Sequence, residues 1–169
     1  SAVVAPIQLG WLSLDEGDND PVRFLTYLFA ALQAALKEVE AGFGQGLLSA
    51  LQSPQPPPAE TVLAAAINQI AAFPGRTVLV LDDYHLIHSL PIHEMLAFVL
   101  EHLPANMRLA ISTREDPPLP LSRLRARAQA VGLHLPEVRQ HRLERRAHPP
   151  GLVLLETDQP QRPVPGRPG

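Results

Sequence analysis

The stretch Thr77-Val-Leu-Val-Leu-Asp-Asp-Tyr-His85 decides how the rest of the chain is read. Four consecutive Val and Leu residues run into two adjacent acids, and the breaker pair Pro74-Gly75 stands before them. A short, continuous run rich in Val and Leu, bounded by turn residues, reads as a strand buried on both faces. Such strands belong to parallel sheets covered by helices, and ligands bind there beyond the carboxyl ends of the strands. Asp82 and Asp83 fall at that end. Their carboxylates repel one another unless a cation or a proton relieves them. One reading is the Walker B pair of a nucleotide hydrolase, in which the first acid holds Mg²⁺ through water and the second orients the attacking water. The other is structural, because an Asp pair closing a strand is also a good helix cap or turn starter. The pattern alone does not separate the two. A receiver-type acidic pair fits poorly, since it would follow the first strand and needs a later lysine that the chain lacks.

The composition narrows the field. At 169 residues the chain is long enough for one domain with a real core. An apolar share of 46% beside 18% charged residues is ordinary for a globular α/β protein. There is no cysteine, which excludes disulfides, thiol catalysis and cysteine metal sites. A net charge of −3 argues against an indiscriminate nucleic-acid binder. No apolar run approaches a membrane span, and the apolar opening Ser1–Leu14 lacks the basic region of a secretion signal. A cytoplasmic setting is the expectation. The chain opens on Ser rather than Met, as a processed protein or a fragment would.

Lysine is the most telling residue. Lys37 is the only one, and no glycine loop precedes it. A P-loop needs G-x-x-x-x-G-K-[ST], because its glycines let backbone N–H groups cradle phosphates while Lys reaches the β and γ oxygens. The chain holds no such motif.

Outward from the central strand, the pattern alternates. Trp11–Leu14 reads as a short strand and is followed by the acidic loop Asp15–Asp20. Asp20-Pro21 is a helix start, with Asp at the cap and Pro at the first helical position. The helix is expected to reach about Ala41, with Leu25, Leu28, Leu32, Leu36 and Val39 as its core stripe. Gly42–Ala59, with three glycines and four prolines, reads as a loop or linker. A second helix is expected over about Glu60–Phe73, and a third from Pro91 to about Leu103. Arg108–Ser112 reads as another strand, and Leu119–Gln129 as a short basic helix. Strands alternating with helices make an α/β sheet the economical architecture.

The character changes after Gln129. Residues 130–169 hold six arginines, three histidines and seven prolines, and their net charge is +2 against −5 for residues 1–129. Leu152–Leu155 is the one apolar run there, and the stretch from Pro160 is expected to be disordered. The expected organisation is one domain over 1–129 and an Arg/Pro-rich tail over 130–169.

Several motifs occur in one order: Trp11-Leu-Ser-Leu-Asp-Glu-Gly-Asp-Asn-Asp-Pro-Val-Arg-Phe-Leu25, then Leu81-Asp-Asp-Tyr-His-Leu-Ile87, then Pro91-Ile-His-Glu94. The last is Ile111-Ser-Thr-Arg-Glu-Asp-Pro-Pro-Leu-Pro-Leu-Ser-Arg-Leu-Arg-Ala-Arg127. Together they resemble, over about residues 9–129, the nucleotide-binding domain of MalT-like transcriptional regulators, large LuxR-type activators of the STAND class of signal-transduction ATPases. The resemblance implies a switch driven by ATP/ADP exchange and an inducer, which leads to self-association and exposes a DNA-binding helix-turn-helix elsewhere in the parent protein. It implies that Asp82 is the Mg²⁺-associated acid, that Asp83 is the catalytic water-orienting acid, and that Arg114 is the sensor arginine reading the γ-phosphate. The alternative for Arg114 is a surface salt bridge to Glu115 or Asp116. The resemblance also implies a P-loop NTPase sheet of order 5-1-4-3-2, with the first strand and the P-loop upstream of Trp11. On that reading Trp11–Leu14, Thr77–Leu81 and Arg108–Ser112 are strands 2, 3 and 4, and Arg108–Ser112 presents a bare apolar edge. The domain is then incomplete, and ATP and Mg²⁺ are not expected to be bound by this chain alone. The stretch 130–169 matches no part of the family, and its Arg/Pro/His bias is what a GC-rich gene gives when read out of frame. The alternatives are a non-enzymatic interaction domain and a non-functional gene remnant.

His85, His88 and His93 lie near the acid pair, and histidine with carboxylate can bind zinc. Their spacing crosses a loop and does not place two imidazoles on one helical turn, so a packed loop or a surface cluster is the better reading. Tyr84 is expected to pack the loop, with its hydroxyl on a polar partner. Arg123, Arg125 and Arg127 alternate and are scattered around a helix as a solvated face.

Overall fold

The computed structural model describes residues 6–38, 40–126, 130–133 and 151–156. Three parallel strands form the centre: β1 (Ile7–Ser13), β2 (Arg76–Asp82) and β3 (Met107–Thr113), joined in the order β1-β2-β3. The connections carry the helices α1 (Pro21–Leu36), α2 (Gln45–Leu51), α3 (Ala59–Ala72) and α4 (Leu90–Glu101), with α5 (Leu121–Ala126) after β3. The α/β class and the three expected strands stand, and that adjacency is the run 4-3-2 of the expected order.

The local chemistry explains the helix starts. The Asp20 carboxylate accepts the Arg23 N–H at 2.8 Å, and Pro21 fills the first turn where its missing N–H costs nothing. The expected stripe Leu25, Leu28, Leu32 and Leu36 is buried, joined by Phe24 and Phe29; Val39 lies outside the described residues. Most boundaries shift by a residue or two, and two move further. β1 starts at Ile7 rather than Trp11, and α1 ends at Leu36, short of the expected Ala41. The linker read over Gly42–Ala59 contains α2, which buries Leu47 and Leu51 against the core once Gly44, at φ +75°, has turned the chain.

One face of the sheet holds the core. Leu12, Leu79, Leu81, Met107, Leu109 and Ile111 join the buried residues of α1 to α4 in a single cluster. Gly10 on β1 lets α1 come close, because a Cβ there would stand 3.1 Å from the Ala31 carbonyl oxygen. The alternate residues point the other way. There Val80 and Ala110 are buried, while Ile7, Leu9 and Trp11 are 58%, 58% and 57% exposed.

The bare edge expected at Arg108–Ser112 is not bare. β5 (Gly151–Glu156) pairs antiparallel along all of β3 except its first residue, Met107, from Arg108↔Glu156 to Thr113↔Gly151. β4 (Ala130–Leu133) in turn pairs antiparallel with β5. The sheet is therefore parallel at its centre and antiparallel at one side, with order β1-β2-β3-β5-β4. The Leu152–Leu155 run supplies the strand, because an exposed apolar edge is relieved by any segment that can complete its ladder. The stretch from Pro160, read as disordered, lies outside the described residues.

Candidate functional site

The carboxyl ends of β2 and β3 bring the sequence-derived candidates to one end of the sheet. Asp82 is the last residue of β2, opposite Ser13 of β1, and its carbonyl accepts the Leu14 N–H at 3.0 Å. On the other flank, Leu81 pairs with Ile111, so Ser112 and Thr113 end their strand beside the acids. Asp82 and Asp83 are both partly exposed. The Asp83 N–H donates to Asp82 Oδ1 at 3.1 Å, and among the described residues the other carboxylate oxygen has no hydrogen bond. Asp83 itself sits in the left-handed region at φ 58°, where a non-glycine residue is uncommon and short polar side chains are the best tolerated. From there the chain enters a 3-10 turn, Tyr84–Leu86.

Arg114 lies just past β3 and is exposed. The turn that carries it is held by Thr113, whose hydroxyl donates to the Glu115 carbonyl at 2.8 Å. Among the described residues, no hydrogen bond or ion pair joins Arg114 to Asp82 or Asp83, nor to Glu115 or Asp116. The strand ends place it at the same end of the sheet as the acids, without contact.

Two further contacts fix the site, both made by residues of the ordered motifs for which the sequence suggested no ligand-binding role. Asn19, in the acidic loop after β1, uses all four hydrogen-bonding positions of its amide. Its Oδ1 accepts from the His88 N–H at 2.6 Å and the Ser89 N–H at 3.0 Å; its Nδ2 donates to the Leu86 carbonyl at 2.9 Å and the Glu16 carbonyl at 3.0 Å. Asn19 thereby caps α4 from another loop, since the Ser89 side chain makes no cap. Nothing in the sequence marks this role, because an Asn beside Asp20-Pro21 reads only as turn chemistry. The second contact is Tyr84, buried at 1% exposure, with its hydroxyl 2.7 Å from His93 Nδ1. The expected polar partner of Tyr84 is thus a histidine on α4. Burial pushes the Tyr84 phenol up, and it holds His93 below the usual imidazole range, with His88 adding to the effect.

The histidines part company. His93 is buried against Tyr84, His85 is mostly buried, and His88 is exposed. Among the described residues, no three His, Asp or Glu side chains gather as a metal would require. An open pocket of about 320 Å³ between the turn after the acids and the turn after β3 is lined by His85, His88, His93, Thr113 and Asp116, with Ile87, Leu90, Pro117 and Pro118 among its apolar lining; Asp82, Asp83 and Arg114 do not line it. Lys37 is exposed beyond the far end of α1, 3.9 Å from Glu38. The donor set suits a hydrated Mg²⁺ at the other oxygen of Asp82, whereas a phosphate cradle has neither its glycines nor its lysine here.

No protein-family model matches the chain. Among curated proteins, it is 38% identical over 119 residues to the HTH-type transcriptional regulator MalT of Vibrio cholerae, covering 70% of this chain and 13% of that protein. It is 40% identical over 124 residues to MalT of Cronobacter sakazakii, with shares of 73% and 13%. For MalT of Yersinia enterocolitica the figures are 38% over 130 residues, with shares of 77% and 14%. The chain thus spans 13–14% of the length of these curated relatives, and identity at this level over this length marks common descent.

Proposed function

Starting from common descent with one segment of MalT-type transcriptional regulators, we propose that the chain is the acid-pair and sensor portion of an ATP-dependent switch domain in a cytoplasmic regulator. The observation that supports this most directly is the position of Asp82, Asp83 and Arg114 at the carboxyl ends of neighbouring parallel strands, where α/β sheets take their ligands. Mg²⁺ held at Asp82 would supply positive charge to phosphate oxygens. Asp83, one residue on, orients a water. Arg114, two residues past Ser112, reads added phosphate charge. Without a glycine cradle this chain binds neither ATP nor ADP alone. Its partners are the rest of a parent regulator or other copies of it, and DNA is reached only through a domain not in this sequence.

A second reading, a non-enzymatic interaction domain, draws on the exposed Ile7, Leu9 and Trp11 of β1. Calorimetry of ATP and ADP with Mg²⁺ tests the two, on this chain and on one extended upstream through a P-loop. Binding by the longer chain alone supports the switch reading, and Asp82→Ala then abolishes it. Binding by the short chain overturns the claim that the cradle is missing. Binding by neither leaves the interaction domain as the better account.

A further inference from the structure

The turn after the acid pair is pinned from two sides, yet one polar atom within it has no match. Asn19 grips the backbone at Leu86, His88 and Ser89, and Tyr84 is tied to His93 beneath. His85 Nδ1 is buried and, among the described residues, makes no hydrogen bond. Buried polar atoms are matched almost everywhere in folded proteins, because an unmatched one keeps its desolvation cost.

The carboxylate within reach is that of Asp83, with Oδ1 at 3.9 Å from Nδ1. The Asp83 backbone is held at both ends: its N–H donates to Asp82 Oδ1, and its carbonyl accepts the Leu86 N–H at 3.1 Å. The Asp83 side chain is 45% exposed, against 16% for His85, so it is the member free to turn. A movement of about 1 Å brings the pair to N–H···O distance.

We propose that His85 is the positioning residue of Asp83: its Nδ1 carries the ring proton and donates to the Asp83 carboxylate, fixing the direction that acid faces. The neutral imidazole has one proton, and the bond made by one nitrogen decides the state of the other. Nε2 is then the bare nitrogen. Only the functional meaning of this bond rests on the reading of Asp83 as the water-orienting acid; the bond itself does not.

Two-bond ¹H–¹⁵N correlation of the histidine rings, on the full chain in its neutral range, reads the tautomer directly. In the wild type, His85 is expected in the Nδ1–H form. Asp83→Gly, which suits the left-handed backbone and so keeps the fold, is expected to shift His85 to the Nε2–H form. Asp83→Asn, which keeps an acceptor oxygen, is expected to restore Nδ1–H. An Nε2–H ring in the wild type, or a tautomer indifferent to Asp83→Gly, overturns the proposal. No nucleotide enters this experiment, so an extended chain that fails to bind ATP would sink the switch reading and leave the tautomer result standing.

Discussion

The amide oxygen of Asn19 accepts the backbone N–H of His88 at 2.6 Å, across 69 residues of sequence. This bond and its three companions tie the loop after β1 to the start of α4, and the acid pair lies between them.

Asn19→Ala removes all four bonds. At about 0.5–1.5 kcal/mol net for each, with the part-buried Leu86 carbonyl left unmatched, a loss of about 2–4 kcal/mol is expected. Asn19→Asp keeps the two acceptor bonds and loses the two donor bonds, so it falls between wild type and alanine. Thermal unfolding of the three proteins checks the order. Equal midpoints for all three would show that the clamp adds nothing to stability.

Protonation of His93 is disfavoured by its burial. The unfolded chain takes up this proton near pH 6.5 while the folded chain takes it up only at lower pH, so as pH falls through 6.5 the unfolded state holds the extra proton. Stability is complete above about pH 6.5 and declines as pH falls, by at most about 1.4 kcal/mol per unit from this one group. The His93→Gln variant is expected to show a shallower decline between pH 7 and pH 5 than the wild type. Parallel melting curves at several pH values decide it.

Gly10 is fixed by proximity. A Cβ at this position meets the Ala31 carbonyl oxygen at 3.1 Å and Leu79 Cδ1 at 3.3 Å. Gly10→Ala pushes α1 off the strand and is expected to cost about 1–3 kcal/mol, as overpacked sites do. Gly42→Ala, where a Cβ meets nothing within 4 Å, is the control. Denaturant midpoints separate the two.

The exposed stripe predicts behaviour in concentrated solution. Leu9→Lys with Trp11→Lys places charge on an apolar edge strand that carries none. Such residues act as guards against strand addition. Less light scattering on refolding is expected, with the melting temperature nearly unchanged. A large fall in melting temperature would mean instead that this face is packed in solution.

Much of the fold was legible in local chemistry. The run Val78–Leu81 could be buried only as a central strand, and Asp20-Pro21 could begin only a helix, so these elements carried their own evidence. The acid pair was found for the same reason, as an abrupt change from apolar to charged residues at a strand end. What the sequence hid depends on partners far along the chain. Asn19 offers the same amide to any turn, and its role appears only when the start of α4 arrives beside it. β5 was passed over because a Leu run amid Arg and Pro has no strand identity until β3 offers it an edge. α2 was lost among glycines and prolines for the same reason: Leu47 and Leu51 make a helix worthwhile only against a core.

The close seat of α1 over Gly10 also decides which strands could extend the sheet at β1. Adjacent strands lie about 4.8 Å apart, whereas packed helices need 8–10 Å between axes. A second folded copy presenting the same strand would carry its own α1 into space already occupied. A bare extended segment brings no helix and meets no such obstacle. Among the described residues one side of β1 has no partner strand, and the seat of α1 makes that side selective by bulk rather than by charge, favouring a bare extended segment over a folded copy.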